Sequence, residues 1–150
     1  MSLTYGLSTA KELLEKLQRD AALLDEEVTS DRFFNFVVTG YSLIDWVKND
    51  PVVPAAAKVV VSSFYSDPWL KVCGDLANAS KHFVLTKRIP VTARARSQRG
   101  WGESRFGKGG WGVGEETIVV TLNDGTTYSG LDLVEEVLQT WNRFFVTQGI

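Results

Sequence analysis

The stretch Asp67–Ser97, DPWLKVCGDLANASKHFVLTKRIPVTARARS, carries the change on which the architecture turns. Its first half repeats at helical spacing: Trp69, Val72, Cys73, Leu76, Ala79 and Phe83 form one apolar stripe. Asp67-Pro68 is a helix start, since a carboxylate can cap the first free amides and proline at the first helical position loses no bond. Gly74 interrupts a helix that alanine would favour by about 1 kcal/mol, which predicts close approach by another helix. After His82 the period drops to two. Ile89, Val91, Ala93 and Ala95 alternate with Pro90, Thr92, Arg94 and Arg96, the pattern of a half-buried strand with a basic outer face.

Working outward, helices flank this change on both sides. Upstream, Thr9–Asp25 puts Leu13, Leu14, Leu17, Ala21 and Leu24 on one face, with Glu12 and Lys16 spaced for a favourable pair. Ser30 or Asp31 is expected to cap a second helix reaching about Asn49. Its core face is Phe33, Phe36, Val37, Gly40, Leu43, Ile44 and Val47. Asn35, Thr39, Ser42, Trp46 and Asn49 lie opposite, with Asp45 at the margin. Asp50-Pro51 ends this helix, because the residue before proline is pushed out of helical geometry. Pro54 and Ala55–Ala57 suit a third helix, although Val59–Val61 would equally suit a strand.

Downstream, Thr117–Leu122 and Thr126–Tyr128 read as strands joined by the Asn123-Asp124-Gly125 turn. Ser129 and Asp132 open a last helix that buries Leu131, Val134, Val137, Leu138, Trp141 and Phe145. The expected fold is therefore mainly α: a four- to five-helix bundle formed by residues 8–85 and 130–148. An antiparallel β-hairpin or meander, about 88–129, is inserted before the last helix. The whole of 1–150 reads as one domain, which is an ordinary size for a single core.

Composition narrows the function classes. Hydrophobic content of 44% and charged content of 23% are globular values. No apolar run reaches the ~18 residues of a membrane span, and the first ten residues lack the pattern of a secretory leader. A single cysteine, Cys73, rules out an internal disulfide and a multi-cysteine zinc site, which fits a cytoplasmic protein. No cofactor or metal is expected. The net charge of −2 conceals segregation. Between Lys81 and Trp111, eight basic residues face one acid, Glu103, for a net of +7; elsewhere eight basic and seventeen acidic residues leave −9. Such asymmetry is the footprint of an anionic partner, or of an acidic surface within the same fold or a second subunit.

Two constellations could carry chemistry. In the basic insertion, Arg94, Arg96, Arg99, Arg105 and Lys108 interleave with Trp101, Phe106 and Trp111, and Arg88 stands just ahead. Cations contact phosphates and aromatic faces stack on unpaired bases, so RNA or another single strand is the expected partner; a protein partner is the alternative. Glycine-rich residues 100–114 contain Gly-Trp-Gly twice. Gly102–Gly109 nearly spells a phosphate-binding loop, but Gly109 stands where Ser or Thr would hold magnesium and a strand pattern follows. A small-molecule pocket between helices and insertion is a third possibility, with no ligand specified.

The second constellation is a polar stripe on the helix after Asp67. Taking 100° per residue from Lys71, Asp75 falls at about 40°, Asn78 at about −20° and His82 at about 20°. Imidazole titrates nearest neutrality and suits proton transfer, while Lys81 and Arg88 are close enough in sequence to offset phosphate charge. The structural alternative is a histidine that simply favours a helix C-terminus.

Asp75–Phe83, with its Ala77-Asn78-x-x-Lys81-His82-Phe83 signature, resembles the histidine-bearing helix of HEPN domains, and also bacterial and phage proteins sharing that signature. The resemblance covers the helical part and not the insertion. It implies a helical bundle, often a homodimer, and a metal-independent ribonuclease in which His82, Asn78 and Lys81 are the catalytic candidates. Asp45 would be the second-helix carboxylate, with Lys71 and Asp75 in support. The family motif has an arginine ahead of the histidine; Asp75, Leu76 and Ala77 stand there instead, so the domain reads as a degenerate member.

Overall fold

The computed structural model describes residues 3–83, 85, 88–99 and 116–150, and the backbone alone at Arg99. The element order is α1 (Ala10–Glu26), α2 (Ser30–Asn49), α3 (Ala55–Val61), a 3-10 turn (Ser62–Ser66), α4 (Pro68–His82), β1 (Thr92–Arg99), β2 (Glu116–Leu122), β3 (Thr127–Ser129) and α5 (Gly130–Gln148). The chain is thus mainly α, with a three-stranded antiparallel sheet in the order β1-β2-β3 placed before the last helix. Among the described residues, no helix is long and apolar enough to cross a membrane.

The helix starts follow local chemistry. Thr9 and Glu12 close a capping box on α1, with Glu12 also accepting the Ser8 amide at 2.6 Å. These two amides hold the Glu12 carboxyl below its ordinary value. Asp50 adds a second cap from a distance: its Oδ2 accepts the Ala10 amide at 2.7 Å, tying the end of α2 to the start of α1. The cap of α2 is Thr29, one residue ahead of the expected Ser30 or Asp31. Asp67 caps α4 by accepting from the Trp69 and Leu70 amides. Residues 55–61, open between helix and strand by composition, are helical behind Pro54. Ser129 caps α5.

All seven expected core residues of α2 and all five of α1 are buried. Gly40 sits where four helices meet: a Cβ there would come 3.2 Å from Val137 on α5 and 3.5 Å from both Cys73 on α4 and Leu17 on α1. The Gly40 carbonyl accepts the indole N–H of fully buried Trp141 at 2.9 Å. Cys73 donates to the Val37 carbonyl, and burial pushes its thiol up to about 12, so it stays protonated and unreactive at neutral pH.

Two expectations about polar positions and one about the core change. Lys16 pairs with Asp20 at 2.6 Å instead of Glu12, which the capping box occupies. Thr39, assigned to the outer face of α2, is buried because its hydroxyl donates to Asp20 and accepts from Lys16. Phe83, placed in the α4 core stripe, is 93% exposed: it terminates the helix at φ +60, which swings it off the helical path.

Candidate functional site

After Phe83 the chain turns back along α4, and this return positions everything that follows. Arg88 reaches the middle of α4, where its Nε donates to Asp75 Oδ1 at 2.5 Å. It also donates to the Tyr41 hydroxyl at 3.0 Å and to the Lys71 carbonyl at 2.9 Å. Asp75 Oδ2 accepts the amides of Val91 at 2.8 Å and Thr92 at 3.0 Å. One carboxylate therefore clamps both the returning segment and the start of β1 onto α4. Burial by itself would push the Arg88 guanidinium down; the bonds to Asp75 and Tyr41 outweigh it and hold the group above its ordinary value.

The close approach foreseen at Gly74 belongs to this clamp. A Cβ on Gly74 would lie 2.5 Å from Tyr41 Cε2 and 2.8 Å from Arg88 Nη2. Gly74→Ala is expected to destabilise the protein by about 1–2 kcal/mol, because displacing the Tyr41 ring and Arg88 outweighs the gain in helix propensity. Chemical denaturation with an unchanged slope against denaturant would measure it. A variant as stable as the parent would show that the Tyr41–Arg88 contact yields freely.

The expected stripe Lys71–Asp75–Asn78–His82 is therefore not one solvent-facing line. Asp75 is buried and bonded to Arg88, not Lys71. Asn78 donates its amide to the Gly74 carbonyl at 2.7 Å, a bond within its own helix. Lys81 and His82 are exposed at the C-terminal end of α4. Asp45 accepts the Tyr65 hydroxyl at 3.1 Å, at the opposite end of this helix. The 15-residue length of α4 separates Asp45 from His82 by roughly 20 Å, so the two do not share a site. Arg88 serves the clamp with all three donor groups and is not presented as a surface cation.

β1 offers a different surface. It is an edge strand, pairing antiparallel with β2 through Arg94↔Thr121, Ala95↔Val120, Arg96↔Val119 and Ser97↔Ile118. The register slips between Thr92 and Arg94, making Ala93 the extra residue of a bulge. This reverses the expected side for Thr92: its hydroxyl is buried, facing inward with the side chain of Val120. Beyond the bulge, Ala95 and Ser97 share the inner face with buried Val120 and Ile118, while Arg94 and Arg96 take the outer face. Both arginines are exposed. Ile89, expected to point inward, is 95% exposed, because the clamp and not the strand sets the path before Val91.

Between β1 and the bundle lies a groove of about 350 Å³, lined by Phe33, Phe34 and Val37 of α2, Leu76, Ala79 and Ser80 of α4, and Ala95, Arg96 and Ser97 of β1. Ile118 forms its floor and Phe83 its lip. Phe34 is 45% exposed there. At one end Glu116 accepts hydroxyls from Ser30 and Ser97, joining α2 to the sheet. Nothing in the sequence singled out Phe34: its position on α2 is regular, and only the packing of β1 nearby makes it part of a concavity.

Trp101, Arg105, Phe106, Lys108 and Trp111 lie outside the described residues, as do both Gly-Trp-Gly repeats and the loop 102–109. Arg99 ends β1, opposite Glu116 in the register. Among the described residues, no cluster of three or more metal-ligating side chains is present. No protein-family model, curated protein or solved structure matches the chain. The fold defines it as an α-helical bundle carrying an inserted antiparallel sheet, with a basic edge strand beside an apolar groove.

Proposed function

We propose that this protein binds a single-stranded nucleic acid, RNA first, along the outer edge of β1. The carrying observation is the pair of exposed arginines, Arg94 and Arg96, on one face of an edge strand. Exposed Lys81 and His82 stand between Ser80 and Phe83, which border the same groove as Arg96. Arg99 continues the strand into the part of the chain that is richest in Arg, Trp and Gly. A row of cations on an open surface attracts phosphates by releasing condensed counterions.

The test is fluorescence anisotropy with a labelled uridine-rich RNA across a salt series. The logarithm of affinity should fall linearly with the logarithm of salt. Combined Arg94→Ala, Arg96→Ala and Arg99→Ala should flatten that slope by up to about 2, at roughly 0.7 per lost contact on a single strand. An unchanged slope, or no binding at low salt, rejects the reading.

The degenerate-HEPN version, with His82 as general acid or base, has less support in the geometry. Asn78 is committed to its own helix, and Asp45 is distant. A protein-interaction reading, including the homodimer the resemblance implies, rests on exposed Val52, Val59 and Val60 around α3. Its separate sign is a partner captured after nuclease treatment.

A further inference from the structure

We propose that the groove between α2, α4 and β1 is a base-binding site, in which Phe34 and Phe83 stack an unpaired base whose backbone runs over Arg94 and Arg96. The inference rests on the nucleic-acid reading above and adds to it the place where bases, not phosphates, are held.

Four observations converge on this groove. The first is size: its volume of about 350 Å³ lies at the lower end of the range for small-ligand pockets. The second is the lining. Phe33, Val37, Leu76, Ala79 and Ile118 make an apolar floor that a hydrated phosphate would avoid and a base face would not. The third is aromatic exposure at the mouth. Phe83 is 93% exposed and Phe34 45%, and a large ring held in water carries an unfavourable hydrophobic cost unless something covers it. Phe83 is moreover held outward by a positive φ of 60°, a conformation rare for a residue with a side chain. The fourth is charge. Arg96 borders the groove, Lys81 lies two residues before Phe83, and Arg94 lies two residues from Arg96 on the outer face of the edge strand.

Glu116 does not line the groove but bonds to two residues that do. Its carboxylate accepts the hydroxyls of Ser30 and Ser97. The arrangement thus divides the labour usual for single strands: cations follow the backbone and rings take the bases. Stacking tolerates any base because every base presents a π-face, so no sequence preference is expected from the groove alone.

The experiment compares two ligands of equal length and charge, a labelled single-stranded oligonucleotide and its abasic counterpart, against wild type, Phe34→Ala/Phe83→Ala and Arg94→Ala/Arg96→Ala. Wild type should prefer the base-bearing ligand about tenfold or more. The phenylalanine variant should lose that preference while keeping the salt dependence of wild type. The arginine variant should keep the preference and show a salt slope flattened by up to about 1.4, at roughly 0.7 per lost contact. Phe83 is almost fully exposed and Phe34 nearly half, so the variant should stay folded with a melting point lowered by only a few degrees, roughly what partial loss of one ring's burial costs, and circular dichroism checks this. A phenylalanine variant that still prefers the base-bearing strand overturns the groove assignment and leaves the nucleic-acid reading standing. A wild type that binds neither ligand overturns both.

Discussion

Trp141→Ala is expected to be the most damaging single substitution in this protein, lowering stability by about 3–5 kcal/mol. Trp141 is fully buried on α5 and sits at the centre of an aromatic cluster. Its ring lies 5.0 Å from Phe64, 5.8 Å from Phe144 and 6.3 Å from Phe145, all edge-on. Its N–H closes a bond to the Gly40 carbonyl at the four-helix crossing. Truncation leaves a cavity that four helices cannot close together, since Gly40 is already in contact with Val137. Thermal unfolding followed by far-UV circular dichroism should shift down by roughly 6–20 °C, at about 2–4 °C per kcal/mol for a chain of this size. Trp141→Phe should cost about 1–2 kcal/mol, chiefly the lost N–H bond and part of the ring. If the alanine variant melts within about 2 °C of wild type, α5 is not anchored where this packing places it.

Asp75→Ala should come next, at about 3–5 kcal/mol, because it strands a partly buried guanidinium and two backbone amides together. The carboxylate is almost fully buried, with side-chain exposure of 3%, against 28% for Arg88. The damage should be local in character. Amides of residues 91–95 should exchange faster with solvent, while α1 and α5 keep their protection apart from the global shift. Asp75→Leu combined with Arg88→Met should cost clearly less than the sum of the single changes, since neither charge is then left buried alone and only the Val91 and Thr92 amides lose their acceptor. Additive costs for the two sites would mean that Arg88 and Asp75 act separately and that no clamp exists.

Much of the helical frame could be read from the residues in order. Caps and breakers act over three or four residues, so Thr9, Asp67 and Ser129 announce their helices and Asp50-Pro51 stops one. The apolar period of α2 is unbroken and its buried face is the expected one. Gly74 signalled a close approach, because few other reasons keep glycine inside a helix.

The candidate site was much less legible, and the reasons lie in long-range contacts. Lys16 has an acid four residues away on either side; Thr39, from another helix, and the capping of Glu12 select Asp20. Asp75 falls on the polar side of α4 by period, and becomes buried only because the chain reverses after Phe83 and delivers Arg88 to it. The antiparallel packing of α2 and α4 sends Asp45 and His82 to opposite ends of a helix. A one-residue bulge at Ala93, invisible to a two-residue alternation, turns Thr92 inward.

The stretch Asp67–Ser97 therefore divides cleanly. That it holds a helix, then a basic strand, followed from spacing and capping, which are properties of neighbouring residues. Which of its polar residues would meet, and that Phe34, Phe83 and Arg96 would border one groove, followed from how the strand folds back on the bundle. Such a reversal is set by the summed contacts of Arg88, Asp75 and the sheet register, and no local period records them.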